Sequence, residues 1–308
     1  MAGSEVRLGL VTVTFNSRDV LDGFFSSLRV QTFKDWHLYI VDNHSTDGGL
    51  EQVLPKYGLE GFVTIVRNET NLGFAAATNQ GVRLAARDGC SHFLVINNDV
   101  EFDGALLSGL LETAVRLDAQ ILAPKILYAD PSDVIWYAGG RILPWRGYIC
   151  EHYGMGEIDR GQYDRECEVD FASGCCLLIE REVVAQIGLF DTNFFVYFED
   201  LDFCYRANKS KIKIWFTPYV RLYHKVSSLT GTGSDFSIFQ GTRGQAYFLH
   251  KHFPHAHVFW CIAMQAKLLF KFVRAMIGAG SPVRQWRLEQ RAVRDGFSAK
   301  FITKLQQL

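Results

Sequence analysis

The first third of the chain alternates between two periodicities, and that alternation confines it to few architectures. Leu8 to Phe15, His37 to Val41, Phe62 to Val66 and His92 to Ile96 are short, rich in valine, isoleucine and aromatic residues, and end in polar residues, the pattern of buried strands. Between them Arg18 to Arg29, Gly49 to Tyr57 and Phe74 to Arg87 place apolar residues three and four apart, which predicts helices. Strands alternating with helices build a mostly parallel sheet covered on both faces, so the expected class is α/β. A further helix is expected from Glu101 to about Asp118, followed by an irregular stretch dense in aromatics and glycine from Tyr128 to Tyr163. An ordered block from Val169 to Arg206 and a helical, basic region from Gly241 onward complete the chain. No linker or repeat interrupts it, and residues 1–245 read as one unit with a helical extension over 246–308.

Open α/β sheets bind ligands beyond the carboxyl ends of their strands, where this chain concentrates polar residues. Thr14, Asn16, Asp42, Asn71 and the run Asn97-Asn98-Asp99 all follow predicted strands. A carboxylate such as Asp42 at a strand end can accept a hydrogen bond from a base imide or a ribose hydroxyl; capping a turn with Ser45 and Asp47 is the alternative. Small residues in NLGFAAATNQG, Asn71 to Gly81, let either a ligand or the sheet approach the backbone closely. In INNDVEF, two amides and the Asp99 carboxylate offer oxygen ligands of the kind Mg²⁺ or Mn²⁺ takes, with an Asx turn as the alternative. VYFEDLDFCYR wedges Glu199, Asp200 and Asp202 between bulky apolar groups, where desolvation can raise a pKa and make a general base. A first helical turn favoured by its dipole explains the same acids structurally. His224 follows one more strand-like segment, and alone is more simply a packed histidine.

Composition excludes several classes. Hydrophobic residues make up 48% of the 308, and Lys and Arg number 32 against 33 Asp and Glu, for a net charge of −1. The chain is therefore an ordered globular protein with no global footprint for nucleic acid. No GxGxxG follows the first strand and no GxxxxGK[ST] occurs, which disfavours a dinucleotide dehydrogenase or a P-loop NTPase. The 7 cysteines form no CxxC pair and suit a reduced compartment. No secretory signal precedes the first strand, and no run of 18 uncharged apolar residues predicts a simple transmembrane helix.

Taken in order, VTVTFNS, VDNHSTDG, NLGFAAATNQG, INNDV, SGCCLLIERE, IGLFDTNFFVYFEDLDFCYR and the late His224 resemble family 2 inverting glycosyltransferases of the GT-A fold. The resemblance spans about residues 6–225 and leans toward the rhamnosyltransferase-like branch that builds bacterial O-antigen, cell-wall and capsular polysaccharide. It implies that Thr14, Asn16 and Asp42 line the nucleotide pocket, that Asn71 and Gly73 border ribose and phosphates, and that Asn97 and Asn98 belong to the same site. Asp99 then matches the last acid of the family's Asp-x-Asp metal motif, and His224 an additional metal ligand. Asn97 stands where the first acid is usual, which weakens the expectation of metal dependence. Asp200 matches the general base, with Glu199 and Asp202 positioning it or the acceptor and Asp202 as the fallback base. Gly174 and Cys175 match an acceptor-side turn.

The resemblance thus implies a nucleotide-sugar donor, dTDP-rhamnose or a UDP-sugar, a divalent cofactor, and a glycan or polyprenyl-diphosphate-linked acceptor. A nucleotidyltransferase would need a glycine-rich basic loop where TFNSRD stands. A catalytically weak binding subunit is the other alternative. From Gln265 to Leu308, nine Lys and Arg face two Asp and Glu, and Lys267, Lys271 and Arg274 form one stripe of a basic amphipathic helix. Such a helix suits peripheral contact through residues 257–280 with an anionic membrane, which implies the cytoplasmic face of the inner membrane, or packing on the catalytic unit or within a homo-oligomer.

Overall fold

The computed structural model describes residues 7–226, 233–276 and 282–299. The expected alternation is present: β1 (Leu8–Thr14), α1 (Arg18–Arg29), β2 (Trp36–Asp42), α2 (Gly49–Val53), β3 (Val63–Arg67), α3 (Phe74–Arg87) and β4 (His92–Ile96) follow in turn. The helix expected to reach Tyr57 gives way to a 3₁₀ turn at Leu54–Tyr57, where Pro55 removes a backbone donor. These four strands pair in parallel, β1 lying between β2 and β4. Their interior residues, Leu10, Val11, Leu38, Ile40 and Leu94 among them, are buried.

The segment expected to be helical from Glu101 starts instead as β5 (Val100–Phe102), whose alternating side chains pair with a later strand; α4 (Leu106–Leu117) begins only after Asp103 Oδ1 accepts the Ala105 amide. β6 (Ile121–Tyr128), β7 (Ile135–Tyr137), β8 (Gly140–Leu143), β9 (Ile149–His152) and β10 (Cys167–Val169) resolve the irregular stretch into short strands. β11 (Cys176–Glu180), α5 (Arg181–Ile187), α6 (Glu199–Lys209) and β12 (Ile214–His224) follow. The sheet order is β10-β12-β6-β11-β4-β1-β2-β3, with β8 and β9 forming a separate hairpin. β11 enters antiparallel between β4 and β6, so this half of the sheet is mixed.

α7 (Asp235–His252), α8 (His257–Met276) and α9 (Pro282–Phe297) close the chain. α7 starts earlier than the apolar pattern suggests, because Ser234 Oγ accepts the Ser237 amide as an N-cap. The division expected near residue 245 falls inside this continuous helix, whose Arg243 and Gln245 are buried. With the turn before it, α8 is long and apolar enough to cross a membrane by length and composition.

The small residues of α3 serve mainly the sheet. Ala75 and Ala77 are fully buried, and a Cβ on Gly81 would meet Val11 Cγ1 at 2.4 Å. A second packing device fastens the excursion after β6: Lys125, with no side-chain exposure, donates to both carboxylate oxygens of Asp159 at 3.1 Å and also binds Asp164. Removing one partner of a buried pair leaves the others uncompensated. Lys125→Ala should therefore cost about 3–5 kcal/mol of unfolding free energy, read from the denaturant midpoint.

Candidate active site

The strand ends gather two concavities along one sheet edge. The smaller, about 310 Å³, is lined by Asp42, Ser45, Thr46, Gly48, Leu50, Glu51 and Arg67. Asp42 is almost fully buried; its Oδ1 accepts from Thr14 Oγ1 at 3.2 Å and from the Ser45 amide at 3.1 Å. Asp42 thus braces the turn while also lining a cavity. Asn16, with a positive φ of 50°, accepts from the Thr46 amide at 2.8 Å and ties the β1 loop to the β2 loop. Arg67 and Glu51 pair at 2.8 Å on the rim.

Asn71 and Gly73 line neither cavity. Asn71 Oδ1 accepts from Asn43 Nδ2 at 2.7 Å and from the Gly73 amide at 2.9 Å, so it builds the turn that opens α3. Gly73 has φ +85°, and a Cβ there would meet Phe195 O at 2.5 Å. Glycine is required because the chain leading to α6 crosses the turn at this point.

The larger cavity, about 540 Å³, contains Asn97, Asn98, Asp99, Gly174, Cys175, Glu199, Asp200 and His224. β5 and β12 pair with Val100 opposite His224, which sets Asp99 Oδ1 and His224 Nε2 3.2 Å apart. Neighbouring ligands of an octahedral ion with bonds of about 2.1 Å lie about 3 Å apart, so this pair fits one divalent cation. A carboxylate with an imidazole suits Mn²⁺ better than Mg²⁺, and Asn97 adds a neutral donor on the same wall. Burial disfavours charge on His224, but the Cys175 sulfur and the Asp99 carboxylate beside it raise its pKa to about 10. Asn98 is committed elsewhere, its Nδ2 donating to Val13 O at 2.9 Å and Ser17 Oγ at 3.1 Å.

Asp200 sits in the first turn of α6. Tyr197 and Phe198 immediately before it have positive φ values of 67° and 73°, a sparsely populated conformation for aromatic residues. That strained pair turns the chain so that Glu199 and Asp200 both face the cavity. Asp200 Oδ2 accepts the Gly174 amide at 3.1 Å and Oδ1 the Leu201 amide at 2.8 Å. Glu199 Oε2 is buried with no hydrogen-bond partner among the described residues. Burial, then the neighbouring Asp200 charge, pushes the Glu199 pKa well up, whereas the amides restrain the rise that burial causes at Asp200. Of the two, Glu199 is therefore the group whose charge the fold disfavours more, and Asp200 the one whose carboxylate it stabilises.

Asp202 is absent from both cavities. Its carboxylate is fully buried and receives Arg206 Nε at 2.8 Å, Lys251 Nζ at 2.7 Å and His252 Nε2 at 2.7 Å. Burial alone would raise its pKa, but these partners outweigh it and hold the value at about 2. The fallback base of the sequence reading is instead a structural anion joining α6 to α7. Sequence reasoning also missed the opposite cavity wall of Trp136, Cys150, His152 and Phe171. The Trp136 ring meets His224 edge-on at 4.6 Å and His152 at 4.8 Å. The aromatic density from Tyr128 to Tyr163 was the available signal.

Comparison with known proteins agrees with this geometry. The model of Glycosyl transferase family 2 matches residues 10–188. The chain belongs to this family. It is 30% identical over 254 residues, 74% of this chain and 78% of the relative, to the N-acetylglucosaminyl-diphospho-decaprenol L-rhamnosyltransferase of Mycobacterium tuberculosis. The amylovoran biosynthesis glycosyltransferase AmsB of Erwinia amylovora is 25% identical over 226 residues, 72% of this chain and 71% of AmsB. In fold, the family 2 chain resembles GalNAc-T7, crystallised with UDP, GalNAc and Mn²⁺, at TM-score 0.63 and 14% identity. The match covers 95% of this chain and 56% of GalNAc-T7, so the chain spans just over half of that longer protein. TarS of S. aureus, solved with UDP, gives TM-score 0.53 at 14% identity over 95% of this chain and 72% of TarS. The fold is accordingly of the GT-A type.

The linkage at Asp202 has a definite sign. Its folded pKa lies below the unfolded value of about 3.9, so its contribution is complete above pH ~4 and is lost as pH falls through ~2. Asp202→Asn should lower stability by about 3 kcal/mol near neutrality, with the gap to wild type closing toward pH ~2, as followed by chemical denaturation at each pH.

Proposed function

We propose that this family 2 enzyme is an inverting glycosyltransferase. It moves a sugar from a nucleoside-diphosphate donor, dTDP-rhamnose or a UDP-sugar, to a hydroxyl of a polyprenyl-diphosphate-linked glycan in bacterial polysaccharide synthesis. The observation that carries the reading is Asp200: a carboxylate held by two amides beside the buried, unpartnered Glu199 carboxyl, in the same cavity as Asp99 and His224. The name of the mycobacterial relative, a rhamnosyltransferase for a decaprenol-linked acceptor, supports the donor and acceptor classes.

In this reading the base binds in the cavity bordered by Asp42, and the diphosphate extends toward Asp99 and His224. Asp200 accepts the proton of the acceptor hydroxyl as its oxygen attacks the anomeric carbon, and the carbon–oxygen bond to the diphosphate breaks with the electron pair leaving on phosphate. Attack from the face opposite the leaving group inverts the centre. Asp99, His224 and the Asn97 amide would hold a divalent cation, Mg²⁺ or Mn²⁺, which when bound neutralises charge developing on the diphosphate. Gly174 fixes the Asp200 carboxylate through its amide, while Trp136 and His152 wall the space beside His224.

Two experiments test the reading. Asp200→Asn should reduce transfer about 10²–10⁴-fold with nucleotide binding retained, whereas Glu199→Gln, which mimics the protonated acid, should stay within about tenfold of wild type. Because the Asp200 pKa is raised, kcat/KM should fall with an acid limb above the ordinary carboxylate range, as the base takes up a proton. Equal loss in both carboxamide variants would refute this division of roles. Separately, UDP or dTDP at a hundred times its Kd, with Mn²⁺, should stabilise the wild type by about 2.7 kcal/mol in thermal denaturation, and Asp99→Ala should abolish the Mn²⁺-dependent part. Nucleotide binding without turnover on a lipid-linked acceptor would favour the binding-subunit alternative that Asn97 keeps open.

A further inference from the structure

The outer face of α8 is apolar and uncovered along its whole length. Val258, Phe259, Ile262, Leu269, Phe270 and Val273 are 54–69% exposed, while Met264 and Leu268 on the opposite side are buried. At 100° per residue those six fall within one sector about 120° wide, so they form a single stripe. Lys267 and Arg274 flank the stripe, and Lys267 Nζ reaches back to Gln245 Oε1 at 2.9 Å. From Phe253 to Leu288 the sequence has no acidic residue. The apolar residues of α8 thus face out, and Lys267 and Arg274 lie at the edge of the packed side.

A second element joins this surface. The tip of the β8–β9 hairpin exposes Pro144, Trp145 and Arg146, with Trp145 72% exposed. It is fastened to the helices: Gln245 Nε2 donates to Gly147 O at 2.8 Å, and Tyr148 packs on Phe253 at 4.4 Å and on Trp260 at 6.1 Å between ring centroids. An exposed tryptophan beside an arginine is the side-chain pair favoured at the level of lipid headgroups.

We propose that the outward stripe of α8 and the β8–β9 tip together form a docking surface for an anionic lipid bilayer, on which the enzyme lies without spanning it. The lipid-linked acceptor of the proposed function gives this surface its purpose, and that purpose rests on that reading; the chemistry of the surface does not. Spanning is incompatible with the packing, because α9 returns to the domain. Phe297 lies 5.1 Å from His257 at the start of α8, and Lys271 pairs with Glu289. Both ends of α8 are thereby held on one side. A second copy of the chain is a poorer occupant, because two such faces would bring basic flanks together with no acid on α8 to pair them. Anionic headgroups supply that missing charge, and acyl chains accept the apolar stripe. The hairpin also joins the two sites: Cys150 and His152 line the large cavity, and Arg146 lies four residues along the chain from Cys150, about 13 Å in extended conformation.

The test is co-sedimentation of the full chain with phosphatidylcholine vesicles containing or lacking phosphatidylglycerol. Wild type should bind the anionic vesicles, and the exposed-site variants Phe259→Ser/Phe270→Ser and Trp145→Ala should each lower the partition coefficient, the double variant about tenfold or more. Stabilisation by UDP or dTDP should be unchanged in both, which shows that the domain is intact. A wild type that stays in the supernatant overturns the proposal, as does a dimer in analytical ultracentrifugation that Phe259→Ser/Phe270→Ser dissociates while vesicle binding is unaffected. Vesicle binding by a chain that transfers no sugar would uphold the surface and refute the transferase reading, so the two fail separately.

Discussion

A buried carboxylate shared by an arginine, a lysine and a histidine holds the working parts of this enzyme in place. Asp202 is two residues beyond Asp200 on α6, and its partners Lys251 and His252 end α7. A lone ion at that depth would be very costly, so the helix carrying Asp200 and the helix leading to the C-terminal region must dock together. The same cluster extends through Lys251 and the Tyr247 hydroxyl to Asp191, in the segment that passes over Gly73. Arg206 meanwhile donates to Leu189 O at 2.8 Å. Position of Asp200, entry into α6 and attachment of the C-terminal helices are therefore one electrostatic unit, not three separate features.

Around that unit the chemistry divides by environment. Three carboxylates lie within four residues, yet burial pushes the pKa of Glu199 well up, two backbone amides restrain the rise at Asp200, and polar partners hold Asp202 down at about 2. No residue type distinguishes them; the difference is what surrounds each. Glu199 meets apolar burial, Asp200 two backbone amides, Asp202 an arginine, a lysine and a histidine. This is how adjacent residues of one helical turn come to differ in proton affinity.

Local pattern made the first half of the sheet legible, because each strand ends where polarity begins and each helix keeps its period. The clustering of Asp42, Asn97 and Asp99 at one edge followed from that topology. Asp202 was misread as a candidate base because two of its three partners, Lys251 and His252, lie about fifty residues later, and short-range pattern cannot reveal side chains that arrive from another helix. Trp136 and His152 were missed for a related reason: β7 and β9 are three and four residues long, too short for a periodic signal, and they reach the cavity only through the sheet and hairpin that carry them. Asn71 and Gly73 build a turn that supports the chain above it, and they line neither cavity. In α8 the period was legible and the facing was not, since sequence gives the angle between residues and not which side meets the protein.

The three-residue strand β5 has a consequence for assembly. It pairs with the end of β12, and the Lys225 amide donates to Asp99 O at 2.8 Å, so the Asp99–His224 corner exists only when the two distant segments have met in register. Loop-closure entropy makes so non-local a pairing slow relative to the local α/β units that precede it. The β1–β4 half of the sheet can thus take shape early in the chain, whereas the Asp99–His224 corner is completed only with β12. A slip of one residue in that pairing would turn His224 to the opposite face of the sheet and dismantle the corner while leaving the core almost untouched.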